Sequence, residues 1–120
     1  MIREANANTT AWNYAAATSG IASTTTAVTI KAAAGAGLRN YITDIQVSHA
    51  TLGAATELAI RDGAGGTVLW RMTLGTVANE NISVRLSTPI FSSANTLLEV
   101  VTLTSVTGGV YVNAQGFSSV

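Results

Sequence analysis

From Ala27 onward the chain repeats one theme: a short run of alternating apolar and polar residues, then a break rich in Gly, Ser, Thr or Asn. A period of two places successive side chains on opposite faces of an extended strand, so each run predicts a strand with one buried side. Residues 27–31 set Val28 and Ile30 against Thr29 and Lys31. Residues 41–49 set Tyr41, Ile45 and Val47 against Asp44, Gln46 and Ser48, and form the clearest strand of all. Residues 57–61 and 67–72 flank Asp62-Gly63-Ala64-Gly65-Gly66, a glycine-laden join that predicts a hairpin. Leu58 and Ile60 then share a face, as do Val68, Trp70 and Met72. Residues 81–86 alternate again, and Pro89, which has no N–H for a ladder, is expected to end that strand.

Residues 96–104 are more continuously apolar, the pattern of a strand covered on both sides by a second sheet or a neighbouring subunit. Gly108-Gly109 turns the chain into a last strand over 110–115, with Tyr111 opposite in parity to Val110 and Val112. The alanine runs at 15–17 and 32–34 favour helix but are cut short by Gly, Ser or Thr. Seven or eight short strands without a helix predict an all-β antiparallel sandwich, a jelly roll first and an immunoglobulin-like sandwich as its competitor. Strand order separates the two, and alternation does not encode it.

Residues 1–20 lack the period except around Ala11-Trp12-Asn13-Tyr14, and are expected to form an N-terminal arm, with 21–120 as the sandwich domain. Trp12 and Tyr14 can each bury roughly 150–250 Å². They are expected to dock on this domain or on a neighbour.

Charged residues are 10% of the 120, against about a quarter in ordinary soluble domains. Six basic residues balance six acidic ones and neither sign clusters, which argues against nucleic acid or an anionic membrane surface as a partner. So little charge gives weak protection against association, and an assembly is expected. Cysteine is absent, which excludes disulfides and thiolate metal sites and suits a reducing cytoplasm. No run approaches the ~18 apolar residues of a membrane span. The opening residues, with Glu4 among them, do not have the make-up of a signal peptide.

His49 is the only histidine, so any triad or imidazole-based metal centre has to be built on it. Ser48 and Asp44 lie near, yet strand parity turns His49 away from both. A hydrogen-bonded structural histidine is the better reading. One histidine falls short of the ligand set of a cupin-type metal site, and no run resembles a calcium loop. Asp62 to Gly66 lacks the Lys-Ser or Lys-Thr of a phosphate loop, so Asp62 reads as a turn residue. The sequons at Asn8 and Asn81 matter only in a secretory setting, which nothing here indicates. No catalytic residue, cofactor or metal ligand is expected, and the chain is read as a non-enzyme. Trp70 has core parity. That leaves Trp12, Tyr14 and Tyr111 as interaction candidates, for protein contact or for stacking on sugar rings.

Three stretches, 29–41 (TIKAAAGAGLRNY), 59–70 (AIRDGAGGTVLW) and 95–101 (NTLLEVV), resemble small structural proteins of tailed bacteriophages, a likeness running from about Trp12 to the C-terminus. The resemblance implies a virion component assembled in the bacterial host cytoplasm. It implies more narrowly a capsid decoration or cement protein, a homo-oligomer of trimeric form that binds the major capsid protein. A tail or fibre component, such as a glycan-binding adhesin module, is the alternative. The resemblance carries no catalytic or ligand residues with it.

Overall fold

A computed structural model describes residues 9–18, 20–22, 25–77 and 80–120. Among these residues the alternating runs form nine strands and no helix: β1 (Thr10–Tyr14), β2 (Ile21–Ala22), β3 (Val28–Lys31), β4 (Arg39–His49), β5 (Thr56–Asp62), β6 (Thr67–Leu74), β7 (Asn81–Phe91), β8 (Leu98–Thr102) and β9 (Gly109–Ser119). Every pairing is antiparallel. The first sheet has the order β1-β9-β4-β7, with β2 also on β9, and the second the order β3-β8-β5-β6.

The pairs β5·β6, β4·β7, β3·β8 and β2·β9 nest one inside the next and fall alternately in the second and first sheets. The chain is thus one long ribbon, doubled back at the β5–β6 turn and rolled so that successive pairs face each other across a shared core. This winding is the jelly roll, and it excludes the immunoglobulin-like order. At the ribbon's tip, Gly63 and Gly65 take φ of +84° and +67°, values that only glycine adopts without strain. The Gly66 N–H donates to the Gly63 carbonyl at 3.0 Å, closing the turn that the glycine-rich join predicts.

Ile42, Ile45, Leu58, Ile60, Leu98, Val100, Val110 and Val112 fill the core, with Trp70 and Met72 packed on it as expected. Each fully buried aliphatic contributes about 1.5–3 kcal/mol. β8 is buried at every position, as its continuous hydrophobicity predicts, and the cover on both sides comes from this chain itself.

Three expectations of facing or extent fail, each at an irregular pairing. In β4 the register shifts between Ile42 and Asp44, so Ile42 turns into the core and Tyr41 turns out. In β6 the pairing jumps from Ile60↔Trp70 to Arg61↔Val68, so Leu69 rather than Val68 joins Trp70 and Met72 against the core. An extra residue on one strand reverses the facing of everything beyond it. β7, finally, runs through Pro89 to Phe91. Proline is tolerated there because β7 is an edge strand and residues 86–89 fall in the break in its ladder with β4, which skips from Asp44↔Arg85 to Ile42↔Ile90.

Of the segment expected as an arm, residues 1–8 and 19 lie outside the described residues. Residues 10–14 are β1, paired along its whole length with β9. Trp12 and Tyr14 pack against this domain's own core.

Candidate functional site

The outward side of the first sheet is assembled from registered rows. One row runs Ala11, Phe117, Tyr41, Phe91 across β1, β9, β4 and β7. The Tyr41 and Phe117 rings stack at 4.7 Å with 9° between their planes, and Phe91 lies tilted 5.6 Å from Tyr41. The Arg39 guanidinium caps Phe91 at 5.2 Å, a cation–π contact. The Tyr41 hydroxyl donates to the Val120 carbonyl at 3.1 Å. Such mutual contacts fix the rings, yet Phe91 keeps 47% of its surface open.

Close approach of two strands makes this row possible. A Cβ on Gly116 would come 1.8 Å from the Tyr41 carbonyl oxygen and 2.9 Å from the Trp12 ring, so only glycine fits opposite the β4 irregularity.

Beyond the rings the same face turns to amides. Gln46 Nε2 donates to Gln115 Oε1 at 2.9 Å, and Gln115 Nε2 to Asn13 Oδ1 at 3.0 Å, a chain of side-chain bonds across three strands. Asp44 and Arg85 form an ion pair on this face, at 3.3 Å. A hydrogen bond from Thr43 and then the Arg85 guanidinium hold the Asp44 carboxyl below its ordinary 3.8, against the opposing push of partial burial.

At the Phe91 end three loops are stitched together. The Gly35 N–H donates to Asn95 Oδ1 and the Asn95 N–H to the Leu38 carbonyl. Gly63 N–H reaches the Leu97 carbonyl, while Ser93 gives Asp62 both its N–H at 2.8 Å and its hydroxyl at 2.6 Å. Beneath them Asn40, fully buried, donates to the Ala32 carbonyl at 2.9 Å, accepts from Ser118 Oγ at 2.7 Å, and is clasped by Ser92 through backbone and side chain. A cleft of about 310 Å³ opens there, lined by Arg39, Asp62, Leu69, Ile90, Phe91 and Ser93, with Ser92 at its base.

The sequence candidates do not converge. Trp12 and Tyr14 face inward from β1, half-buried, and the Trp12 indole Nε1 is buried without a hydrogen-bond partner. Tyr111 faces outward from β9 opposite Ser48, at the other end of the sheet from the aromatic row. Tyr41, Phe91 and Phe117, the rings that do come together, escape alternation because Tyr41 reads as inward until the β4 register shift is known.

His49 sits ten residues along β4 from Arg39, roughly 30 Å away. Its side chain has no exposure. Nδ1 lies 2.7 Å from the Ala50 carbonyl oxygen, and Nε2 lies 2.6 Å from Glu80 Oε1. The space beside it, about 20 Å³, is room for one water. Among the described residues no three His, Asp or Glu side chains gather where a metal ion would be held.

No family model matches the chain, and no curated protein matches it. Among solved structures it is similar to CsCBM6-3 from Clostridium stercorarium, determined in complex with cellobiose, at 19% identity and a TM-score of 0.40 over 92% of this chain and 79% of that one. So distant a likeness says nothing of what this chain binds.

Proposed function

We propose that this chain is a non-catalytic structural component of a bacteriophage virion, a capsid decoration or cement protein that binds across adjacent major capsid subunits as a homotrimer. The observation that carries the reading is the aromatic row on the first sheet: three rings held rigidly by one another and by Arg39, with Phe91 left open. Rings fixed before contact lose little conformational freedom on binding, which is what a surface made for protein contact requires. The scarcity of charge on that face supports the same reading, since aromatic residues are enriched and charges depleted at the centres of interfaces. So does the meeting, at the stitched end, of the three stretches that resemble phage structural proteins.

Reinforcement needs area rather than chemistry. A standard contact buries ~1,600 Å² in total, and several contacts per oligomer add through multivalency. Light scattering of the purified protein is expected to give three times the chain mass, and heads of the parent phage are expected to resist heat better with the protein bound. A monomer at high concentration that leaves head stability unchanged sinks the reading.

A tail or fibre location with glycan recognition is the second reading. The cleft beside Phe91 favours it, whereas Trp12, Tyr14 and Tyr111 form no shared platform for it.

A further inference from the structure

We infer that the cleft between the ends of β4, β5, β6 and β7 is a binding site for one neutral sugar ring, the terminal residue of a glycan. This deepens the glycan-recognition reading by naming the ligand, and rests on that reading rather than on the capsid role.

The cleft combines three kinds of wall. Leu69, Ile90 and the open Phe91 give it an apolar side. Arg39 spends one guanidinium N–H on the Ser92 carbonyl at 3.3 Å and is in no salt bridge among the described residues. Its remaining donors are free for a ligand. Asp62 is likewise in no salt bridge. Its two oxygens each accept one hydrogen bond from Ser93, and each keeps further acceptor capacity.

A cation and a carboxylate lining one cleft, each without an ionic partner, select against net charge. An anion meets Asp62 and a cation meets Arg39. Adjacent hydroxyls on a pyranose carry a donor and an acceptor side by side, so one accepts from the guanidinium while its neighbour donates to the carboxylate. The ring's C–H face packs on the apolar wall, as aromatic surfaces favour. The volume, about 310 Å³, is at the small end of ligand sites, which suits a single ring rather than a chain of them. Ser93 fixes the carboxylate and Tyr41 backs Phe91, so the groups are positioned before any ligand arrives.

The test is an NMR titration of the full-length ¹⁵N-labelled protein with the methyl glycosides of glucose, galactose, mannose and N-acetylglucosamine, and with methyl glucuronide and methyl glucosaminide as charged counterparts. A single-ring contact is expected to have a Kd on the order of 1 mM. At least one neutral glycoside is expected to move the amide signals of Arg39, Asp62, Gly63 and Ile90 to Ser93 saturably, with the charged counterparts about tenfold weaker. Phe91→Leu and Arg39→Lys, which keep apolar bulk and charge, are each expected to weaken binding about tenfold in protein that stays folded. The inference is overturned if no neutral glycoside moves those signals, if the shifts map to Tyr111 instead, if a charged sugar binds as tightly, or if folded variants bind like the parent. Because this readout uses the isolated protein, its failure leaves capsid binding standing.

Discussion

Val101 on β8 and Phe91 on β7 both point away from the core, yet Val101 is 2% exposed and Phe91 47%. Val101 lies opposite Ala59, which is also fully buried although outside the core cluster. Along β5 that alanine is bracketed by Glu57 and Arg61, whose partners are Arg71 and Glu99. Long charged side chains lay their apolar stems over such surface while their heads stay polar. The outer face of the second sheet is therefore closed at Ala59 and Val101. Glu99 does more, accepting from Arg61 Nε at 2.6 Å and from the Gly65 N–H at 3.0 Å, so that β8 holds the ribbon's tip. Among the described residues the open ring of the first sheet, Phe91, has only the Arg39 guanidinium over it and stays 47% exposed. That sheet's outer face is firm but unfinished, and the contrast locates contact there.

The largest effect that bears on this contrast is removal of residues 1–19. If the outer face rests on a complete first sheet, losing β1, Trp12 and Tyr14 costs more than the roughly 3–5 kcal/mol of one large aromatic truncation. Chemical denaturation measures it, and a truncated chain as stable as the parent would make β1 dispensable. Next comes the second sheet's own cover. Glu99→Gln leaves the half-buried Arg61 charge unpaired and is expected to cost about 3 kcal/mol, with head binding unaltered in the fraction that stays folded. Tyr41→Ala on the first sheet should show the reverse, about 1 kcal/mol of stability but loss of head binding. Equal effects of the two substitutions on binding would erase the distinction between the faces.

The smallest effect is electrostatic. Asp44 has its folded-state value depressed, so its contribution is complete above the ordinary 3.8 and disappears as pH falls through the depressed value. Stability of the parent and of Asp44→Asn should differ above the ordinary 3.8 and converge once pH has fallen below the depressed value. A gap that persists in acid would mean that something other than ionisation is lost.

Much of the architecture is written in the period of two. The β5–β6 hairpin, its glycine turn, the buried β8 and the core placement of Trp70 all follow from alternation and turn chemistry. Strand order does not, because alternation says which way a side chain points and nothing of its neighbour. Nor does the pattern mark irregular pairing: one shift in β4 turns Tyr41 outward and thereby creates the aromatic row. β1 was obscured by its composition, since Thr, Ala and Asn give a strand little signature when the partner strand supplies most of the pairing. Asn40 and Ser92, polar residues that hold the cleft end together, have no local signal because their partners are distant in sequence.

Head binding by a matched pair of surface variants tests the central claim most directly. Tyr41→Glu places a charge in the aromatic row, and Thr73→Glu places one on the exposed outer face of β6. With parent-phage heads stripped of the protein, the first is expected to bind at least about tenfold more weakly than the parent and the second equally well. Undiminished binding by Tyr41→Glu, or a loss confined to Thr73→Glu, contradicts the account.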